Sequence, residues 1–584
     1  MAGERETGAA GAAPSPATVG PTTAASLETR RLVEALLDPA AGRLSDGPIR
    51  LVETHISYIL LTGRLAYKIK KPLRLDFLDF STLEQRRRAC EDELRLNRRT
   101  APELYLRVVA ITGTPEAPRL GTTSPPTAAP ERDANARAVA QGGAPIEYAV
   151  EMRQFDPDAL LESLVEAGTI DADLVDALAE RVAAFHASLP PVRRLEPASK
   201  PDPAPGVRDR DSGSTAIAAI PTAIPTARRN LAEILGLALE PTLRERIDSL
   251  AQWLEASAVE LAPFLAARAR AGFVRECHGD LHLANVAVID GRPVLFDCLE
   301  FDVALRTIDV LDEVAFAFVD FVAHDRRDLA HRFLNAYLEA TGDYAGVAGL
   351  HFHALHRALV RAKVALLRAR QPGLDAAARA RVAADVERHV VAAESQARPP
   401  RARLVITCGL AGSGKTTVSG ALVEALGAVR IRSDVERKRL AGLEARARSA
   451  SPIGGGLYDR EGSARTYAQL ESLARSLLAA AQSVVVDAAF LDRSDRDRFR
   501  ALAKETGVDF AIALCEAPVE VLRGRIAARL AAGRDASEAD AAVLEHQLER
   551  YAPPAGEELA AVVPIATDRG VEAVREACRA FARR

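Results

Sequence analysis

The stretch CHGDLHLANVAVIDGRPVLFDCLEFD, residues 277–302, decides how the larger part of this chain folds. Two short apolar runs, 286–289 and 294–296, read as a small hairpin, with Gly279 and Gly291 serving the backbone. Around them stand carboxylates, two histidines and Asn285. A polar hairpin is the plain alternative. The residue types nevertheless match a demanding chemistry: moving a phosphoryl group needs a base near the acceptor hydroxyl and ligands for the metal that accompanies a triphosphate. Asp280, Asn285 and Asp297 supply both kinds of group.

A second phosphate-handling text lies downstream. LVITCGLAGSGKTT, residues 404–417, fits G-x-x-x-x-G-K-[ST] between an apolar strand and a helix, the context that this Walker A motif demands. Backbone amides around Gly409, Gly412, Ser413 and Gly414 and the helix start at Thr416 and Thr417 converge on phosphate, Lys415 neutralises its oxygens, and Thr416 ligates Mg²⁺. VVVDA, residues 484–488, ends an apolar strand at Asp487, a carboxylate of Walker B type for the same metal.

Returning to the first stretch, Asp280 and Asn285 have the separation found in the kinase catalytic loop H-x-D-x-x-x-x-N, and Asp297 follows two short strands, as the metal-binding aspartate of kinases does. The stretch resembles the aminoglycoside phosphotransferase family, small-molecule relatives of the protein kinases. That resemblance implies Asp280 as catalytic base, Asn285 and Asp297 as Mg²⁺ ligands, and His278 as a brace. Upstream, Lys68 ends the strand LAYK, where kinases place the lysine that touches the α- and β-phosphates, and a helix with Glu91 and Glu93 follows. Lys68 with Glu93 is the preferred ion pair; Lys70 and Lys71 are nearby alternatives, and Glu91 is the alternative to Glu93. EYAVEMRQF then becomes the hinge between lobes, with backbone near residues 151–153 meeting adenine. One departure stands out: THIS, residues 54–57, holds no glycine where a Gly-rich loop over the nucleotide is expected. His186, His282, His351, His353 and His356 read as ordinary helix or loop histidines.

In RSDVERKR, residues 432–439, Asp434-x-x-Arg437 resembles the motif that follows the P-loop in polynucleotide kinase-like enzymes. The resemblance implies Asp434 as the base at the acceptor hydroxyl and Arg437 as its positioning partner. Ser433 and Glu436 also have the spacing of a capping box. Residues 522–540 resemble the arginine-bearing lid of small P-loop kinases, with Arg525, Arg529 and Arg534 available to transition-state charge.

With 584 residues the chain exceeds one hydrophobic core. Its net charge of -4 lacks the basic excess of a nucleic-acid binder. Six scattered cysteines with no CxxC pair suit a reducing compartment, and neither a signal h-region nor an apolar run of spanning length is present, so the expected location is cytoplasmic. The organisation expected is a disordered tail over 1–26, a bilobal kinase-like domain over 27–398 with an N-lobe of about 27–152 and a helical C-lobe of about 153–398, and a P-loop domain over 399–584. Within these, a hairpin turns at residues 62–64, residues 113–145 form a loop insertion, and two prolines at 399–400 mark the domain boundary. The fold class is thus multidomain, α+β followed by α/β with a parallel sheet.

The functional expectation is a bifunctional, ATP- and Mg²⁺-dependent kinase that phosphorylates small-molecule hydroxyls at one or both centres. The rivals are a regulatory nucleotide-binding protein with one inactive kinase-like module, and 5′-hydroxyl phosphorylation of polynucleotides by the C-terminal domain.

Overall fold

The computed structural model describes residues 24–583 apart from 39–43, 45–47, 55, 76–77, 122–142, 193–222, 239, 371–372, 446, 448–454 and 533–538. The chain forms two compact units, Met1–Asp156 with Leu295–Val303, and Pro157–Val294 with Ala304–Arg584. No helix among the described residues is long and apolar enough to cross a membrane.

The first unit is built on a six-stranded antiparallel sheet: β1 (Arg50–Glu53), β2 (Ser57–Leu61), β3 (Leu65–Lys70), β4 (Tyr105–Thr114), β5 (Ala117–Leu120) and β6 (Glu147–Arg153), in the order β1-β2-β3-β6-β4-β5. The hairpin expected at residues 62–64 joins β2 to β3, with Gly63 at φ +91° and Thr62 N–H donating to Leu65 O at 2.9 Å. Side chains alternate along β3. Tyr67 and Ile69 join a core with Leu32, Val33 and Leu36 of the helix Ala24–Leu36. Lys68 and Lys70 take the other face, toward the helix Leu83–Asn97. That helix opens with a reciprocal cap between Thr82 and Gln85, and Arg86, Cys90, Glu93 and Asn97 form its buried stripe at spacings of three and four.

Two expectations need correction. The helix Ala24–Leu36 takes in residues 24–26, which the expected tail included. The segment 113–145 is not all loop: β5 pairs with the end of β4, and its Pro118 is tolerated because β5 is the sheet's edge. The expected tail up to residue 23, most of that insertion and Arg534 lie outside the described residues.

The second unit holds both the helical region and the P-loop region. Its central helix, Val310–Ala323, is apolar nearly all round and buried almost throughout, as a core helix should be. Its buried acids therefore need partners: Asp312 meets Arg357 at 2.7 Å, Glu313 meets His186 at 2.6 Å, and Asp320 meets His389 at 3.3 Å. Asp309 caps this helix through Leu311 N–H, and Arg268 holds Asp309 and Asp343 together with four bonds of 2.7–2.8 Å.

The P-loop region contains the expected parallel sheet, with five strands: β7 (Arg403–Cys408), β8 (Ala428–Arg432), β9 (Ser483–Asp487), β10 (Asp509–Glu516) and β11 (Val562–Ala566), in the order β8-β9-β7-β10-β11. The P-loop follows the central strand β7, where open α/β sheets bind ligands at the strands' C-terminal ends. Although β7 begins just after the two prolines, the compact unit runs straight across residue 398. The edge strand β8 is not open to solvent. Asn335, on the helix Arg327–Thr341, accepts Arg430 N–H at 2.5 Å and donates to Ala428 O at 2.8 Å, pairing the edge as a neighbouring strand would.

Replacing Arg268 by Met leaves Asp309 and Asp343 buried without their cation, a defect worth about 3–5 kcal/mol. The thermal midpoint of the full chain, followed by circular dichroism, is expected to drop by several degrees; an unchanged midpoint contradicts the role given to Arg268.

Candidate functional site

In the first unit, β3 places Lys68 and Lys70 side by side, and Glu93 stands between them. Lys68 Nζ lies 2.9 Å from Glu93 Oε1 and 2.5 Å from Asp297 Oδ1; Lys70 Nζ lies 2.5 Å from Glu93 Oε2 and pairs with Glu300. Burial alone lowers the affinity of a lysine for its proton, but the fields of Asp297 and Glu93 overcome it and hold Lys68 well above its ordinary range. Glu93 likewise resists burial because two lysines flank it, and its carboxyl sits below its ordinary range. Glu300 goes the other way: burial pushes it up, and Lys70 only partly offsets that. Asp297 is the outward member of the group, its side chain 40% exposed. Its backbone is left-handed at φ +61°, and its N–H donates to Tyr105 OH at 3.1 Å while Cys298 N–H donates to Asn97 Oδ1 at 2.8 Å. A non-glycine residue held there is a sign of stored local strain, which functional sites often carry.

The alternatives to this arrangement are engaged elsewhere. Glu91 pairs with Arg87 on the outer face of the helix, and Lys71 pairs with Glu53 and donates to Thr54 O. The glycine-free turn is closed by Thr54, whose N–H donates to Ser57 O and whose Oγ1 accepts Ser57 N–H, both at 2.9 Å. Glu151, in the expected hinge strand, accepts Arg107 at 2.9 and 3.1 Å, and the unit ends shortly after, at Asp156.

The residues of the expected catalytic loop, His278 to Asn285, belong to the second unit. Glu313 and Asp320 are seven residues apart and so share one face of their helix. Glu313 Oε1 accepts Gly279 N–H and Asp320 Oδ2 accepts Leu283 N–H, each at 2.8 Å, so the loop is gripped on both sides of Asp280. Asn285 Nδ2 donates to Asp280 O at 2.9 Å and to its Oδ2 at 3.1 Å, and His282 Nε2 lies 3.5 Å from the same carboxylate oxygen. Burial raises the Asp280 carboxyl, but His282, Arg361 and His278 lower it more, so it is anionic at neutral pH, and its side chain is 37% exposed. His278 is fully buried. His186 and His282, read from the sequence as ordinary, both serve this loop. His186 bridges Glu313 and Tyr337 OH, at 2.6 and 2.9 Å. His186, Cys277 and Glu313 bring ligand atoms within 4.8 Å of one another, but hydrogen bonds already use both ring nitrogens.

In the P-loop, Gly409 and Gly412 are required by contact as well as by φ, since a Cβ would come within 2.7 Å of Cys515 O and of Leu522 O respectively. Gly414 caps the helix Lys415–Leu426, whose first turn exposes Thr416 and Thr417. Lys415 Nζ curls back onto Gly409 O and Leu410 O, at 3.0 and 2.8 Å, and burial pulls it below its ordinary range against the opposing fields of Cys515, Asp487 and Asp434. Ser413 Oγ is buried with no partner among the described residues, which fits a loop made to receive an acceptor-rich ligand such as phosphate. Asp487 Oδ2 accepts Ser419 Oγ–H at 2.9 Å and faces Arg432 Nε at 3.7 Å.

Several residues around this loop differ from expectation. Arg525 does not extend from a lid; it donates to Thr567 Oγ1 and O, at 3.0 and 2.6 Å, and Thr567 in turn donates to Ser413 O at 2.8 Å, so it buttresses the loop. Arg529 donates to Ala539 O at 2.5 Å. Arg437 donates to Leu457 O at 3.0 Å and stacks over Tyr458. The capping box at Ser433 does not form: the helix Ser433–Leu440 has Arg432 as its cap residue, and Glu436 pairs with Arg439 instead. Sequence reasoning missed Glu300, Glu313, Asp320, Ser419, Thr567 and Glu339, which are remote in sequence from the groups they hold; the lowered carboxyl of Glu339, where Arg432 and Arg430 outweigh burial, is one mark of such a partner.

Because Glu93 has a folded value below its ordinary 4.5, the stability it brings is complete above that pH and is lost as pH falls through the lowered value. The gap in thermal midpoint between wild type and Glu93→Gln is therefore expected to be widest near neutrality and to narrow below pH 4.5. A gap that stays constant from pH 7 to the acid limit contradicts the ionised pairing.

Comparison with known proteins places two family models on the chain: the phosphotransferase enzyme family over residues 119–350, and an AAA domain over 404–554. Among solved structures, a gluconokinase from Sinorhizobium meliloti aligns with 32% of this chain and 92% of its own at 23% identity and a TM-score of 0.24. A choline/ethanolamine kinase family protein from Mesorhizobium loti aligns with 62% of this chain and 98% of its own at 12% identity and a TM-score of 0.32. Uncharacterized proteins of Mycobacterium tuberculosis and Mycobacterium bovis are 31% identical over 505 residues, 86% of this chain and 90% of theirs. The chain belongs to the family of these mycobacterial proteins, and in it a region of the phosphotransferase enzyme family is followed by a P-loop region of kinase type.

Proposed function

We propose that the chain is a bifunctional phosphotransferase, moving the γ-phosphate of ATP to hydroxyl groups of small molecules at two separate centres. What supports this reading most is that the lysine expected at phosphate in the first centre, Lys68, lies 2.5 Å from the expected metal carboxylate Asp297, while at the second Asp487 is among the groups whose fields act on Lys415. At the first centre Lys68 orients the α- and β-phosphates and Glu93 holds it there. Asp280 accepts the hydroxyl proton, and Asn285, bonded to its carboxylate, fixes its direction. At the second, Lys415 leaves its loop carbonyls for the β- and γ-oxygens, Ser413 Oγ gains a partner, Asp434 receives the acceptor hydroxyl, and Arg525 keeps the loop in shape. Asn285 and Asp297 are the residues expected to hold Mg²⁺ at the first centre and Thr416 and Asp487 at the second, where the ion would supply charge neutralisation across the triphosphate.

Small acceptors are favoured over nucleic acid at the second centre. Tracking a phosphate backbone needs several uncommitted cations. Arg437, Arg525 and Arg529 each donate to main-chain carbonyls here. A second reading, in which the first centre binds nucleotide without transferring phosphate, draws on the glycine-free turn at Thr54, which is fastened by Lys71.

The test supplies γ-labelled ATP to the full chain with a pooled metabolite extract and 5′-hydroxyl oligonucleotides in competition at physiological salt. Asp280→Asn is expected to lower one set of labelled small products by about 10²–10⁴, the loss of a general base, with nucleotide binding retained. Asp434→Asn is expected to remove a different set. Label that goes chiefly to the oligonucleotide overturns the acceptor assignment, and indifference to Asp280→Asn favours the regulatory reading.

A further inference from the structure

Three side chains of the helix Arg327–Thr341, which belongs to the kinase-like region, reach into the P-loop region. Arg332 meets Glu424 at 3.1 Å, Asn335 pairs the edge strand β8, and Glu339 divides its carboxylate between two arginines of that strand. Glu339 Oε1 lies 2.8 Å from Arg432 Nη1 and Oε2 lies 3.1 Å from Arg430 Nη2. Both arginines face the same neighbours as Asp487: Arg432 Nε is 3.7 Å from its Oδ2, and Arg430 Nη1 is 3.5 Å from Ser419 Oγ, which donates to that oxygen. The end of the helix is fastened as well. Arg439 donates to Glu339 O at 2.6 Å, a cation at a helix C-terminus, and it belongs to the same short helix as Asp434.

Two guanidinium groups and two carboxylates meet in this cluster. Arg430 and Arg432 stand against Glu339 and Asp487, all four side chains largely buried. Without Glu339 both guanidinium groups lose a carboxylate that they share, and Arg432 is already directed at Asp487. A carboxylate committed to arginine is a poor ligand for a divalent cation, and an unbalanced positive charge beside it repels one.

We propose that Glu339 is a positioning residue for the P-loop centre, supplied from the kinase-like region: by drawing Arg430 and Arg432 to itself it keeps Asp487 available to Mg²⁺, so the P-loop centre is complete only with that helix in place. This rests on the reading of the P-loop as an MgATP site and goes beyond it, because it makes the segment after residue 398 dependent on residues before it.

The experiment measures ATP binding by the full chain at fixed ATP across a magnesium titration, taking as the P-loop signal the part lost in Lys415→Ala. Glu339→Gln is expected to raise the magnesium concentration at half-saturation about tenfold while leaving metal-free ATP binding intact. Arg432→Gln alone is expected to lower it, and Glu339→Gln with Arg432→Gln, which restores the charge balance, to return it near the wild-type value. A scaffold role for Glu339 would instead weaken binding equally with and without magnesium and would gain nothing from the second substitution, and either result overturns the proposal. Should Glu339→Gln not fold, the Arg432→Gln arm decides: an unchanged or raised half-saturation overturns the inference. Indifference of all binding to Lys415→Ala removes the P-loop reading itself, a separate outcome.

Discussion

Cationic side chains that are to meet phosphate must be held in the folded protein before phosphate arrives, and each is costly to bury without a counter-charge. This constraint organises both halves of the molecule. Lys68 is held between Glu93 and Asp297, with Lys70 and Glu300 completing the group. Lys415 rests on two carbonyls of its own loop. Arg430 and Arg432 are gathered by Glu339. In each case the partner that offsets the charge also positions the cation.

The second consequence concerns rigidity. Carboxylates on the core helix Val310–Ala323 grip the loop around Asp280 from both sides, and they stay ionised because histidines and arginines meet them in turn. Tyr337 and Glu339 lie on one helix, Arg327–Thr341. Tyr337 supports His186 and through it Glu313, while Glu339 serves the P-loop strand β8. One helix thus contributes to the surroundings of Asp280 and of Asp487, which gives a physical reason for carrying the two regions on a single chain.

Much of this was legible in the sequence because phosphate-binding motifs are local. The P-loop, the strands around it, the hairpin at residues 62–64 and the spacing from Asp280 to Asn285 each occupy a few consecutive residues, and backbone geometry ties their chemistry to their order. The kinase resemblance favours Lys68 with Glu93 but leaves Lys70, Lys71 and Glu91 open, and Glu93 in fact meets both Lys68 and Lys70. What could not be read is whatever depends on a distant partner. Glu300 stands 230 residues from Lys70, and Glu339 acts on a strand that begins at Ala428. The capping pattern at Ser433 misled because Arg439 competes for Glu436, and Arg525 looked like a lid residue because Thr567 is far away in sequence. The two prolines at 399–400 mark the start of β7 correctly as a strand boundary but say nothing of Asn335, whose amide pairs the edge of the sheet.

Two distinct nucleotide centres on one chain should bind two equivalents of nucleotide. Calorimetric titration of the full chain with a non-hydrolysable MgATP analogue counts them, using wild type, Asp297→Ala, Lys415→Ala and the double variant. Two equivalents bound by wild type, one by each single variant and none by the double variant is the predicted result. A single equivalent in wild type, or undiminished binding in the double variant, would contradict it.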